Sequence, residues 1–279
     1  MTLTIFWQPD PLAFSLFGLD IRWYSLFWCL ALVSGYLIMA RLYRQQGLEK
    51  EKFEPLFIYI FVGVLAGARL GHCLFYEPTY YLSHFIEMFL PIKQDLLGQW
   101  HLVGYEGLAS HGGVIGMIVA IILYSRKYKI NIIRVLDNMG IVAALPAAFI
   151  RLGNLFNSEI VGNPTDLPWG FIFAHNGEDF PRHPSQLYEA LCYLAIFAII
   201  FTIQRKKSEK IGSGFYFGLC LTLIFTTRIM IEFLKESQVA FENSMLLNMG
   251  QLLSLPLVAI GIYCMAGGQY CKKLSEKQN

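Results

Sequence analysis

Arg151-Leu152-Gly153-Asn154-Leu155-Phe156-Asn157-Ser158-Glu159 follows directly on an apolar run over residues 141–150. An arginine, two asparagines and a glutamate arrive where the chain has just been hydrocarbon-like. An apolar run meeting so much hydrogen-bonding capacity reads as a membrane helix that ends at a polar site. Ionisable groups at that depth are costly and usually functional. The rest of the chain is therefore read for the polar groups it brings to this stretch.

The 279 residues are 55% hydrophobic and only 15% charged, with a mean hydropathy of +0.47. Soluble domains carry about 25% charged residues, so the composition predicts an all-α integral membrane protein forming a single polytopic domain over residues 1–279. The net charge of +2 carries no signal for nucleic acid, and no such partner is expected. Cys29, Cys73, Cys192, Cys220, Cys264 and Cys271 are scattered, without metal-ligand or redox spacing. They read as small apolar fillers. The first apolar run has no small-residue cleavage site after it, so it is expected to stay in the mature chain.

Seven segments are long enough, or nearly so, to span a hydrocarbon core of about 30 Å: residues 21–42, 56–75, 110–124, 135–150, 185–203, 215–234 and 247–266. Orientation follows from the basic residues in short loops. Arg41, Arg44, Lys50 and Lys52 follow the first segment; Arg126, Lys127, Lys129 and Arg134 follow the third; Arg205, Lys206, Lys207 and Lys210 follow the fifth; Lys272, Lys273 and Lys277 lie in the tail. These are 15 of the 22 lysines and arginines, all on one side. The amino terminus is thus expected outside and the carboxyl terminus in the cytoplasm. Residues 76–108 and 151–184 become two outer-face arms or caps, and connections that long are usually functional.

On this topology the polar residues within the spans gather beneath the outer face. Tyr24 and Arg69 lie near the outer ends of the first two segments. His111 opens the third, Arg151 closes the fourth, and His183 and Gln186 open the fifth. Arg228 and Glu232 fall in the outer half of the sixth, and Gln251 near the start of the seventh. Arg228, Glu232 and Lys235 are spaced to share one helix face. An internal Arg228–Glu232 ion pair would explain two of them, but the face would still carry excess positive charge near Arg151 and Arg69. Excess buried arginine calls for an anion, and the guanidinium fork suits phosphate. A phospholipid headgroup is the anion at hand. In Ser110-His111-Gly112-Gly113 the glycines allow close backbone approach at a helix start. His183-Pro184-Ser185-Gln186-Leu187-Tyr188-Glu189 also reads as a cap with a polar interhelical network.

Taken together these stretches resemble the prolipoprotein diacylglyceryl transferase family over nearly the whole chain. The match includes Ile21-Arg22-Trp23-Tyr24, Gly67-Ala68-Arg69-Leu70-Gly71, Ser110 to Gly113, Arg151 to Asn154 through Glu159 to Gly162, His183 to Glu189, Arg228 through Glu232-Phe233, and Met249-Gly250-Gln251-Leu252-Leu253-Ser254-Leu255-Pro256. Each motif is weak alone; seven in order are specific. The resemblance implies a monomeric multi-pass enzyme of the bacterial cytoplasmic (inner) membrane, with its active site toward the outer leaflet. It implies transfer of the diacylglyceryl group of phosphatidylglycerol to the lipobox cysteine of a prolipoprotein signal peptide, with glycerol 1-phosphate leaving and neither metal nor cofactor. His111, Arg151 and Arg228 are implied as catalytic. Tyr24, Arg69, Asn154, Glu159, Gly162, Glu232 and Lys235 are expected to bind substrate, and His183, Gln186 and Gln251 to support them.

The chain departs from the family pattern at three positions. Ile150 replaces a glycine before the arginine, Ile224 replaces a tyrosine four residues before Arg228, and Lys235 stands where an arginine is usual. Ile224 therefore receives no chemical role, and Lys235 keeps a charge but no fork. In the implied reaction a thiolate attacks the glycerol carbon that bears the phosphate. Arg151 and Arg228 would stabilise the charge gained by the leaving phosphate, and His111 could accept the thiol proton.

A lipid-binding or transport protein without transferase chemistry is the alternative. Transport predicts polar groups at mid-depth and internal repeats, and neither is visible. An intramembrane protease fits less well: Ser213 lies between two glycines, but far from His111 and His183, and Asp137 stands alone.

Overall fold

The computed structural model describes residues 4–16, 18–90, 92–95, 98–102, 107–236, 247–269 and 271. Lys272, Lys273 and Lys277, which entered the orientation count, lie outside these residues. In chain order the elements are β1 (Ile5–Trp7), β2 (Leu12–Leu16), β3 (Leu19–Arg22), α1 (Trp23–Gln45), α2 (Lys50–Phe75), α3 (Pro78–Ser83), α4 (Phe85–Phe89), β4 (Ile92–Gln94) and β5 (Trp100–Leu102). There follow α5 (Ser110–Tyr128), α6 (Ile132–Val142), α7 (Ala144–Phe156), β6 (Phe171–Phe173), α8 (Ser185–Lys206), α9 (Phe215–Glu232) and α10 (Met249–Met265).

Helices occupy all seven segments expected from the apolar runs. Among the described residues, α1, α2, α8 and α9 are each long and apolar enough to cross a membrane, and α6 with α7 qualify when taken together. The apolar α10 has 17 residues. This is a multi-pass membrane architecture, predominantly helical rather than purely so. Three two-stranded sheets, β1 with β6, β2 with β3 and β4 with β5, lie in the amino-terminal stretch and the expected arms.

The fourth segment differs from expectation in two ways. It is broken, with 43° between α6 and α7. Pro146 has no N–H for the carbonyl of Val142, the last residue of α6, and its ring crowds that carbonyl. Nor does the helix stop at Ile150. It continues through Arg151 to Phe156, so the following arm begins at Asn157.

The chain forms two compact units. One takes in residues up to Leu42 and from Leu136 onward; the other is Tyr43–Val135. In the first unit α7 packs on α8, α8 on α9 and α9 on α10. A Cβ on Gly218 of α9 would stand 2.4 Å from the Gly261 carbonyl oxygen of α10, so these backbones touch. Asp137, fully buried on α6, accepts the amides of Gly212, Gly214 and Phe217 at 2.8, 2.9 and 2.9 Å. It thereby caps the start of α9 together with Ser213, whose hydroxyl accepts the Phe215 amide at 3.3 Å; the N-cap position itself is Gly214 in the left-handed region (φ 87°). At the amino-terminal end β1 pairs in parallel with β6, Ile5 opposite Phe171. The Trp7 indole donates to the Leu155 carbonyl at 3.0 Å and packs edge-on against Phe156, anchoring the carboxyl end of α7.

In the second unit α2 and α5 lie against each other along Gly63, Gly67 and Gly71 on one side and Gly112 and Gly116 on the other. A Cβ on Gly67 would fall 2.3 Å from the Gly112 carbonyl oxygen, and one on Gly116 would fall 2.0 Å from that of Gly63. Small residues every fourth position let membrane helices approach this closely. The Tyr124 hydroxyl donates to the Lys52 carbonyl, tying the other ends of the pair.

Candidate functional site

The first unit collects most of the expected site residues around α7, α8 and α9. Arg151 sits on the last turns of α7, where Nη1 donates to Asn154 Oδ1 at 3.2 Å. Asn154 passes the interaction on, its amide donating to Glu159 Oε1 at 2.9 Å. Asn157 donates to the same oxygen at 3.2 Å. The stretch that opened the sequence reading is thus a short relay running from a helix end into a turn. Gly153, between them, is required by Tyr24: a Cβ there would stand 2.9 Å from the tyrosine ring.

The principal acidic partner of Arg151 is Glu189 on α8, with Nε and Oε2 2.7 Å apart. The contact is an ion pair by distance without hydrogen-bond alignment, and Oε2 has no hydrogen-bond donor among the described residues. The other oxygen, Oε1, accepts from Lys235 Nζ at 3.0 Å, with the Tyr193 hydroxyl at 3.4 Å. Lys235 also reaches Glu232 Oε2 at 3.2 Å. Glu189 is 0% exposed and Lys235 7%, so a half-buried arginine leads into a chain of buried charges: glutamate, lysine, glutamate.

Arg228 stands apart from it. None of the ion pairs among the described residues includes Arg228, and its Nε is buried with no hydrogen-bond partner among them. The Arg228–Glu232 pair considered from sequence is therefore not the one formed. Helix α9 ends at Glu232, so Lys235 does not continue the helical face; it turns back through the bend that follows. That bend is set by Gly162, which bridges to Lys235 in antiparallel fashion and donates its amide to the His183 carbonyl at 2.9 Å. A Cβ at Gly162 would lie 2.7 Å from the carbonyl oxygens of both His183 and Leu234. Its contribution is the space it leaves.

The supporting residues hold elements rather than charges. Gln186 donates to the Glu159 carbonyl at 2.6 Å. Gln251 completes a capping box with Asn248 at the start of α10 and donates to the Ile229 carbonyl at 3.2 Å. A Cβ on neighbouring Gly250 would meet the Glu232 carboxylate at 2.8 Å. His183 Nδ1 is 3.2 Å from the Tyr188 hydroxyl, which accepts from the Trp169 indole at 3.0 Å. Partial burial holds the His183 imidazole below its ordinary range.

Arg69 and His111 belong to the second unit. Arg69 is buried and donates Nη2 to the Glu87 carbonyl at 2.5 Å and Nε to that of Met88 at 3.2 Å. Its guanidinium lies 4.8 Å from the Tyr81 ring centroid. These contacts pin α3 and α4 to α2. The same arm is tied internally by Glu87, which accepts the Tyr80 hydroxyl at 2.7 Å; this bond, with burial, pushes the Tyr80 phenol up to about 12. His111 is exposed in the first turn of α5. It borders a cavity of about 350 Å³ whose lining includes Gly71, Phe75, Tyr76 and Ala109.

Glu189 is the residue the sequence reading left without a role. It was visible only as the last member of the His183 to Glu189 motif. Its position one turn into an apolar helix, where an ionised group needs a partner, is the available signal.

The family model described as Prolipoprotein diacylglyceryl transferase matches residues 11–266. The chain is 52% identical over 277 residues to the phosphatidylglycerol–prolipoprotein diacylglyceryl transferase of Bacteroides fragilis, covering 99% of both chains. It is 44% identical to the protein of that name from Tolumonas auensis, over 94% of this chain and 96% of the relative. For that from Chloroherpeton thalassium the identity is 41%, over 92% of each.

Proposed function

The chain belongs to the prolipoprotein diacylglyceryl transferase family, and we propose that it acts as its relatives are named, moving the diacylglyceryl group of phosphatidylglycerol onto prolipoproteins. The observation that carries the site assignment is the charge of the first unit's buried cluster. Among the described residues Arg151 and Lys235 are paired with Glu189 and Glu232, which leaves Arg228 as a surplus of one positive charge, its buried Nε without a hydrogen-bond partner. One phosphodiester monoanion matches that surplus in sign and size.

In the proposed reaction the lipobox cysteine, as thiolate, attacks the glycerol carbon that carries the phosphate. A carbon–sulfur bond forms, the carbon–oxygen bond breaks, and the electron pair leaves with glycerol 1-phosphate. The phosphate passes from monoanion toward dianion. Its second pKa is about 6, so near neutrality it needs no proton in order to leave. It needs fixed positive charge in a water-poor setting, the role given to Arg151 and Arg228. Asn154 and Glu159 hold the Arg151 end of the site, and Tyr24 packs beneath it. His111 enters from its sequence motif alone, as acceptor of the thiol proton.

The same proposal places seven spans in the bacterial inner membrane, with the amino terminus outside and the chemistry toward the outer leaflet. The distribution of basic loops supports this orientation. The chain works as a monomer in this reading. Both substrates are amphiphiles and enter sideways from the lipid. The test is direct: purified protein given phosphatidylglycerol vesicles and a lipobox peptide is expected to release glycerol phosphate and lipidate the peptide. Lipid binding without release would favour a lipid-binding protein over a transferase.

A further inference from the structure

We propose that Glu189 is a positioning residue for the transfer, and that Lys235 acts on the reaction through Glu189 rather than by touching the lipid phosphate. The proposal rests on the transferase reading above. Glu189 is completely buried and divides its carboxylate between two cations, Arg151 at 2.7 Å and Lys235 at 3.0 Å. Lys235 divides its ammonium between two carboxylates, Glu189 and Glu232 at 3.2 Å. A lysine with 3% of its side chain exposed and two carboxylates in contact has its charge already matched. Arg151, by contrast, is held at Nε by Glu189 and at Nη1 by Asn154. Two contacts fix the plane of the fork, while part of its five-donor edge is left for a ligand.

Positioning and net charge are therefore set together. Removing one member of a buried ion pair leaves an uncompensated charge, whereas removing both can be close to neutral. In Glu189→Gln the cluster surplus rises from one positive charge to two and Arg151 loses its holder. In Lys235→Met the surplus falls to zero while Arg151 keeps its partner. In the double variant the surplus returns to one, with Arg151, Arg228 and Glu232 remaining. Direct phosphate binding by Lys235 predicts no such return.

The experiment measures kcat and KM for phosphatidylglycerol with a saturating lipobox peptide, on full-length purified protein matched for folded, monodisperse yield. Glu189→Gln is expected to lower kcat by at least about tenfold without raising KM, since the anion is still attracted but the fork is loose. Lys235→Met is expected to raise KM by about tenfold, because the surplus that attracts the headgroup is gone. The double variant is expected to keep the low kcat of Glu189→Gln, since the fork is still loose, but to return to the wild-type KM, so that its loss in kcat/KM is about tenfold rather than the roughly hundredfold of independent losses, a coupling of about 1.4 kcal/mol. Losses that simply multiply, or a double variant whose KM stays as high as that of Lys235→Met, overturn the proposal. Should the double variant fail to insert, the single variants decide: a Glu189→Gln protein with wild-type kcat, or a Lys235→Met protein with wild-type KM, overturns the assignment. An inactive wild-type chain overturns the transferase reading itself; an active wild type with multiplying losses overturns only the roles of Glu189 and Lys235.

Discussion

Asp137 Oδ1 accepts the Phe217 amide at 2.9 Å, so the first turn of α9 is capped by a side chain from α6, eighty residues earlier in the chain. The same carboxylate takes the amides of Gly212 and Gly214 through Oδ2. A helix start leaves its first N–H groups unsatisfied, and here they meet an anion, the favourable sign for that end of the helix dipole. Arg228 lies further along α9, so its placement depends on this cap.

Asp137→Ala should therefore destabilise the fold by at least about 2 kcal/mol, since each orphaned buried donor costs about 1–3 kcal/mol. The thermal unfolding midpoint in detergent is the measurement. Asp137→Asn, which keeps an acceptor oxygen, should fall between the alanine variant and wild type. An alanine variant that melts with the wild type would remove the cap from this account.

The two glycines of the Ser110 to Gly113 motif are not equivalent. A Cβ on Gly112 would stand 2.2 Å from the Gly67 carbonyl oxygen, whereas one on Gly113 would meet nothing nearer than 3.5 Å. Gly112→Ala and Gly67→Ala should each cost about 1–3 kcal/mol by forcing α2 and α5 apart, while Gly113→Ala should lie within about 0.5 kcal/mol of wild type. Equal midpoints for Gly112→Ala and Gly113→Ala would contradict the close approach.

Arg151→Lys and Arg228→Lys keep charge and lose the fork, so each should reduce kcat/KM by at least about tenfold, with the protein still inserted. Their deficits should be constant with pH, because stabilising a leaving phosphate is needed throughout the range. The deficit of His111→Gln should shrink toward pH 9, where solvent supplies thiolate from a group with an ordinary pKa of about 8.5. A His111→Gln deficit that is flat with pH, like those of the arginine variants, would end its assignment as the base.

His183 gives a stability signature with a definite sign. Burial depresses its folded-state pKa, so the folded form prefers the neutral ring. Above the unfolded value of about 6.5 neither state carries the charge and nothing is lost. As pH falls below it the unfolded chain binds the proton first, and stability declines through the folded pKa. The midpoint of the wild type should therefore drop relative to His183→Gln between about pH 6.5 and pH 5. Parallel curves would show that the ring is not held neutral.

The helices were legible because an apolar run of helical length has few alternatives in a membrane. What escaped was local or long-range. The break after Val142 is carried by one residue, Pro146, inside a run apolar on both sides of it. The continuation of α7 past Ile150 was hidden because Arg151 and Asn154 look like a stop in sequence, while in the fold they are satisfied by each other, by Glu159 and by Glu189. Glu189 lies 38 residues from Arg151, and helical spacing does not report a partner on another helix. For Arg69 the sequence indicated depth but not its engagement by the carbonyls of Glu87 and Met88.

The pairing of β1 with β6 has a consequence for the order in which the molecule is made. Phe171 leaves the ribosome 166 residues after its partner Ile5. At about 5–20 residues per second, the amino-terminal strand waits on the order of ten seconds for the edge it will join. During that interval Ile5, Phe6 and Trp7 are a short apolar strand with open hydrogen bonds, the kind of edge that recruits other chains. Closing this pair therefore waits on elongation through the intervening helices, and the indole of Trp7 reaches the Leu155 carbonyl only after α7 has been made.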